Sequence, residues 1–238
     1  MPADRFFIDG HLKRGTSVLL EGPEHHHLAH VMRLGKGEEV ALVNGRGDLA
    51  TGTIIEVNKK GASIELHSAT CFDDLAPRIL LAIPLMRASK LEWIVEKGTE
   101  LGAGAFLFYP AKHSEKGDVS PRQQERLRLL TISALKQSGR LYLPSIEFLS
   151  DLTSLFVKEA VFLFGDIRAA AYLDRSNLNA SSIAFISGPE RGFSDEELAF
   201  LEKKATGIRL SPYILRAETA PIAAASILGT ALQKNLSQ

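Results

Sequence analysis

The sequence predicts an α/β protein, a domain with a mainly parallel sheet preceded by a small β-barrel. Three observations predict it. From Arg78 onward, short apolar runs alternate with helical patterns, the rhythm of a parallel sheet covered on both faces. Before Cys71, short runs are separated by the turn signals Asn44-Gly45-Arg46-Gly47 and Asn58-Lys59-Lys60-Gly61, as in a small barrel. Between the two lies Asp73-Asp74-Leu75-Ala76-Pro77, polar and proline-ended, which sets the boundary and gives domains of residues 1–72 and 73–238.

In chain order, Arg5-Phe6-Phe7-Ile8 and Ser17-Val18-Leu19-Leu20 read as short strands, and Glu24 to Leu34 as a helix. Glu39 to Val43, Leu49 to Val57 and Ser63 to His67 complete the β domain. Gly45-x-Gly47 has no βαβ context and is no dinucleotide fingerprint. Ile79 to Leu85 is a buried-type strand, Ser89 to Leu101 a helix with Leu91, Ile94, Val95 and Leu101 on one face, and Ala105 to Tyr109 a strand. A long helix runs from about Ser120 to Ser138 with Leu127, Leu130, Ala134 and Leu135 as its stripe, and Ala160 to Phe164 is the next strand.

Two strand–loop–helix units close the chain. Ile183 to Ser187 leads into Gly188-Pro189-Glu190-Arg191-Gly192-Phe193, and Ser194 with Glu197 forms a capping box for the helix that follows. Ile208-Arg209-Leu210 leads into Ser211 through Thr219, where Thr219 is the expected N-cap and Pro221 sits in the first turn. That last helix is apolar nearly all round, with small residues at Ala223, Ala224, Ala225, Ser226 and Gly229, so it is buried in the core or against a partner subunit. Two bent loops at the ends of adjacent strands form a ligand crevice in an open α/β sheet. Glu190, Asp195, Glu196, Glu197 and Glu218 crowd them and no Gly-Lys-Ser/Thr occurs, which argues against a phosphate loop. Carboxylates suit cationic groups and hydroxyl donors, while Phe193, Ile214 and Leu215 suit an aromatic ring. S-adenosylmethionine carries all three features; an ordinary strand–helix turn, with glycine for a positive φ, reads the same residues equally well.

Composition narrows the classes further. A chain of 238 residues, 45% hydrophobic and 24% charged, is that of an ordinary soluble globular protein with ample core. The net charge of zero announces no nucleic-acid partner, so any such contact comes from local patches. Cys71, the only cysteine, excludes an internal disulfide and a cysteine zinc site and fits a reducing compartment. No apolar signal-peptide core or bilayer-length run occurs, and the expected location is the cytoplasm, with no membrane partner.

His25, His26, His27 and His30 place His26 and His30 on one helical face, but with no carboxylate partner they read as a solvated face, and no metal is expected. Between Lys112 and Arg140 seven basic residues face three acidic ones, a patch that tracks a phosphate backbone or is simply a solvated helix face. Arg33, Lys36, Arg46, Lys59 and Lys60 form a second basic group. Glu96-Lys97-Gly98-Thr99-Glu100-Leu101-Gly102 reads as i, i+4 surface pairing ending in a glycine cap, or as an anchor near the crevice. No Gly-x-Ser-x-Gly elbow supports a hydrolase.

Taken in order, Arg5-Phe6-Phe7, His27 with Val31-Met32-Arg33-Leu34, Glu96 to Gly102, Gln137-Ser138-x-Arg140 with Pro144, Gly188-Pro189-Glu190-x-Gly192-Phe193-Ser194 and Ile214-Leu215-Arg216-Ala217-Glu218-Thr219-Ala220 cover essentially the whole chain. The sequence resembles the RsmE family of 16S rRNA uridine-N3 methyltransferases, in the SPOUT (trefoil-knot) superfamily. It departs from that pattern at Arg191 (usually glycine), Lys136 (usually glutamate) and Ser211 (a strand-end glycine). The resemblance implies a PUA-like barrel that helps bind RNA, a knotted α/β domain that binds S-adenosylmethionine, and a homodimer with active sites at the subunit interface. It makes Gly188, Pro189, Glu190, Gly192, Leu210, Leu215, Thr219 and Ala220 cofactor-binding. Arg5, Arg33, Arg87, Lys90, Arg122 and Arg126 become candidate contacts to 16S rRNA in the small ribosomal subunit. Arg216 and Arg140 are expected to stabilise charge on the uridine carbonyls, and Glu218 to act as base, to hold the cofactor or to cap the last helix. Two other functions fit: a SPOUT enzyme acting on another RNA position or a tRNA ribose, and a non-catalytic ribosome-assembly module.

Overall fold

The structure, a computed structural model, describes residues 5–74, 78–115, 117–170, 172 and 180–233. Its contacts divide the chain into two units, Met1–Asp74 with Ile132–Leu143 and Leu75–Thr131 with Pro144–Gln238.

In the first unit the strands are β1 (Arg5–Phe7), β2 (Ser17–Leu20), β3 (Glu39–Val43), β4 (Asp48–Val57) and β5 (Ala62–Cys71). They form one mixed sheet in the order β1-β3-β4-β5-β2, with β1 parallel to β3 and the other pairs antiparallel. Alternate residues of β4 turn inward, and Phe6, Leu20, Leu28, Leu42, Ile54 and Ile64 fill the concave face. Register shifts at Thr51/Gly52 and Ile54/Glu56 curl the sheet into a half-barrel. The helix expected from Glu24 to Leu34 is α1 (Gly22–His26) followed by a wider π turn, His27–Met32. It ends at Arg33, whose left-handed φ of 58° lets the Leu34 N–H reach the Leu28 carbonyl at 3.0 Å. Residues 132–143 belong here: Arg5 donates to the Gly139 carbonyl at 2.6 Å and Tyr142 to that of Phe72 at 2.7 Å.

The second unit contains β6 (Arg78–Pro84), α2 (Ala88–Glu100), β7 (Ala103–Tyr109) and α3 (Pro121–Ser138), whose last turns count with the first unit. After it come β8 (Ser145–Phe148), β9 (Val161–Gly165), β10 (Ser182–Ile186), α4 (Asp195–Lys204), β11 (Thr206–Ile208) and α5 (Thr219–Gln233). All six strands are parallel, in the order β11-β9-β10-β6-β7-β8. From Ile79 onward β6 is apolar and buried, because both faces are covered. Ile79, Leu81 and Ile83 pack with Leu91, Ile94 and Leu228 of α2 and α5, while Leu80 and Ala82 pack with Leu155 and Leu201 on the other side. The strand expected at Ile208 to Leu210 lies earlier, because Arg209 and Leu210 already belong to the loop beyond it. No helix among the described residues is long and apolar enough to cross a membrane.

Candidate functional site

β11, β9 and β10 are adjacent and parallel, so the loops that leave them emerge at one edge of the sheet. β10 follows β9 in sequence yet inserts between β9 and β6, and such a switch in strand order opens a crevice at the carboxyl ends. The crevice here is a cavity of about 650 Å³ walled by those three loops, within the size range that takes a small organic ligand.

One wall is Gly188, Pro189, Glu190, Gly192 and Phe193. Gly192 has φ +79° and its N–H closes the turn onto the Pro189 carbonyl at 2.9 Å. The Ser194–Glu197 capping box is present, so the loop runs directly into a fixed α4. His113 Nδ1 lies 3.0 Å from the Gly192 carbonyl, and the Lys112 N–H donates to Glu197 at 2.8 Å. Beneath the wall the buried Tyr109 hydroxyl donates to the Ser187 carbonyl at 2.7 Å, and burial raises its proton affinity well above that of a free phenol.

The facing wall is Leu210, Ser211, Ile214, Leu215, Arg216 and Glu218. Ser211 Oγ accepts the Tyr213 N–H at 3.1 Å, a local turn that needs no glycine. The Arg216 carbonyl accepts the N–H groups of Thr219 and Ala220 at 2.9 and 3.1 Å and starts α5. The floor is Gly165, Asp166 and Ile167. Arg168 hydrogen-bonds the Asp166 carboxylate through Nε and Nη2, at 3.1 and 3.2 Å, and holds it below the usual carboxylate range. Arg209 Nη2 donates to the Ile167 carbonyl, while its buried Nε has no hydrogen-bond partner among the described residues. Lys90, from α2, completes the rim. Its Nζ lies 2.5 Å from Glu190, and that hydrogen bond, more than the opposing effect of burial, raises its hold on its proton.

Of the residues singled out in the sequence, Gly188, Pro189, Glu190, Gly192, Leu210, Leu215, Arg216, Glu218 and Ala220 therefore line one cavity. Thr219 is exposed and is the first residue of α5 rather than part of the lining. Arg191 is exposed and off the wall. Arg140 is in the first unit, half-buried, where burial lowers its proton affinity and Asp74 opposes that. Arg5 is in the first unit, bound to Gly139, and Arg33 is exposed there. Arg122 is exposed, Arg126 pairs with Glu92 at 3.5 Å, and Arg87 with Glu115 at 3.3 Å. Lys116, of the basic segment, lies outside the described residues. No group of three or more potential metal-ligating side chains is found among the described residues. The floor after β9 is not among the two loops that the sequence marks; its signal is Phe164-Gly165-Asp166, a glycine and a carboxylate directly after an apolar strand.

An RNA methyltransferase domain family model matches residues 74–229, and an RNA methyltransferase PUA domain model matches residues 20–66. Ribosomal RNA small subunit methyltransferase E of Bacillus subtilis is 30% identical, over 94% of this chain and 95% of its own. The Neisseria gonorrhoeae ribosomal RNA small subunit methyltransferase E, solved bound to S-adenosyl methionine, is 25% identical with a TM-score of 0.86, over 96% of this chain and 97% of that one. A Legionella pneumophila protein solved with bound SAM is 26% identical with a TM-score of 0.88, over 97% of this chain and 98% of that one. With both domain models matched in order and the likeness running nearly end to end, the chain belongs to the RsmE family of ribosomal RNA small subunit methyltransferases.

Proposed function

We propose that this chain transfers a methyl group from S-adenosylmethionine to N3 of a uridine in 16S rRNA of the small ribosomal subunit. It acts as a cytoplasmic homodimer whose second domain is tied in a trefoil knot and whose first helps bind the RNA. The observation that carries the reading is that residues of the β10 loop (Gly188, Pro189, Glu190, Gly192), of the β11 loop (Leu210, Leu215, Arg216, Glu218) and of the β9 loop line one cavity. Its residues fit the cofactor: the apolar Ile167, Ile208, Leu210 and Leu215 suit a purine, and Asp166, Glu190 and Glu218 suit hydroxyls and cationic groups. S-adenosylmethionine, when bound, would supply a methyl group made electrophilic by its sulfonium, the neutral thioether leaving with the electron pair of the sulfur–carbon bond.

The uridine N3 must lose its imide proton as its electron pair forms the new bond to carbon. Glu218, which lines the wall, is our candidate to accept that proton. Arg216, an exposed cation on the same wall, stabilises the negative charge that develops on the flanking carbonyl oxygens, with Arg140 as a second candidate. N3 is on the pairing edge, so the base is taken unpaired or displaced. The exposed Arg33 and Arg122 are offered to the RNA backbone.

The test is methylation of small subunits that lack the modification, followed by nucleoside analysis. The expected product is 3-methyluridine; a methyl group on another base position or on a ribose would replace this reading with its alternative. Arg216→Ala should lower turnover on the order of 100-fold while cofactor binding and melting temperature stay put. An unchanged rate removes Arg216 from the chemistry.

A further inference from the structure

Lys90 sits in the first turn of α2 and sends its ammonium among carboxylates from three other segments: Glu190 at 2.5 Å, Glu218 at 3.8 Å and Glu115 at 3.9 Å. Glu190 stands on one wall of the cavity and Glu218 on the other. The four side chains are partly buried, with exposures of 25% for Lys90, 24% for Glu190, 19% for Glu218 and 29% for Glu115. Carboxylates gathered this closely repel one another unless a cation stands among them. Arg87 Nε takes Glu115 at 3.3 Å, which leaves Lys90 to serve the two walls. Among the described residues Lys90 is the one cation within ion-pair distance of Glu190 or Glu218, and no hydrogen bond joins the two wall loops directly.

We propose that Lys90 is a positioning residue for the methyl donor: its one ammonium clasps the 188–193 loop to the 211–218 loop and holds the two cofactor walls at their working separation. The inference rests on the S-adenosylmethionine reading above. A lysine suits the task because an ammonium is a compact charge with three rotatable donors, able to serve carboxylates from unrelated directions. The same geometry commits Lys90 to protein partners, so a contact from Lys90 to RNA would require the clasp to open.

The binding measurement uses full-length protein without RNA, and turnover is read with the RNA substrate present. Calorimetric titration with S-adenosylmethionine is run on the wild type, Lys90→Met, which keeps most of the apolar stem, and Lys90→Arg, which keeps the charge. Lys90→Met should bind the cofactor about tenfold more weakly, at a melting temperature close to wild type. Lys90→Arg should recover affinity to within about threefold. In turnover, Lys90→Met should raise KM for S-adenosylmethionine about tenfold, and Lys90→Arg should restore it to within about threefold. Should Lys90→Met fail to fold, Lys90→Gln is measured instead and should lose affinity in the same direction. Equal cofactor affinity in Lys90→Met and wild type overturns the clasp, and a raised KM for RNA alone makes Lys90 an RNA contact. A loss that Lys90→Arg does not recover also overturns it, since charge would then not be what matters. Absence of cofactor binding in the wild type sinks the S-adenosylmethionine reading itself, a result distinct from the others.

Discussion

Arg191 stands on the turn between β10 and α4 with its side chain in solvent and its backbone at an ordinary negative φ, so nothing in that turn demands a glycine at this position. The turn's one left-handed residue is Gly192, a position later. Lys136 has a comparably local account. Its ammonium lies 2.5 Å from Glu24, whose other oxygen accepts the Phe7 N–H at 2.9 Å, so the lysine is the counter-charge to a carboxylate that holds β1. Asp151 gives the clearest titration. Its carboxylate accepts Thr153 Oγ1 at 2.6 Å and the Ser154 N–H at 2.8 Å, starting the 3-10 turn Thr153–Val157, and these bonds lower its pKa to about 2. A depressed carboxylate stabilises the fold above its unfolded value near 3.8 and loses that contribution as pH falls through about 2. The denaturation midpoints of wild type and Asp151→Asn should therefore differ at pH 5 and converge toward pH 2. A difference that does not change with pH would contradict the assignment.

At the scale of elements, legibility follows how local the determining interaction is. The capping box at Ser194 and Glu197 is made within one turn, and the two-faced burial of β6 and β10 follows from uninterrupted apolar runs. β8 escapes such a reading because it is four residues long, half-buried, and includes Glu147, which pairs with Lys158 at 2.7 Å. The π turn escapes it as well, since apolar periodicity does not distinguish a helix from one widened by a turn. Gly98 lies within the charged motif that closes α2, yet its environment is the core. A Cβ there would lie 2.6 Å from Cε1 of the fully buried Phe106. Gly98→Ala gains about 1 kcal/mol of helix propensity. Lifting α2 off β7 costs about 1–3 kcal/mol. A net destabilisation of up to about 2 kcal/mol is expected in urea unfolding; a stabilised variant would show that the ring yields freely.

For the whole molecule, the boundary between the units is not one cut in the chain. Residues 132–143 belong with Met1–Asp74 although 58 to 142 positions separate the two segments, and they pair back onto it: Gly47 N–H to Leu141 carbonyl at 3.0 Å, Leu143 N–H to Gly45 carbonyl at 2.9 Å. A fragment of residues 1–74 should melt roughly 5–10 °C below the same fragment supplied with a peptide of residues 132–143. Identical melting curves would show that the segment adds nothing to the fold of that unit. The amino-acid order by itself determined the α/β class, most strands and helices, the two glycine- and proline-bent loops and the family, because caps, turns and apolar periods act between residues a few positions apart. Only the tertiary structure decided that β10 inserts between β9 and β6, that the β9 loop floors the cavity, and that Lys90 meets Glu115, Glu190 and Glu218. Electrostatic partnership depends on distance in space, and for segments that far apart in sequence only the packed sheet sets that distance.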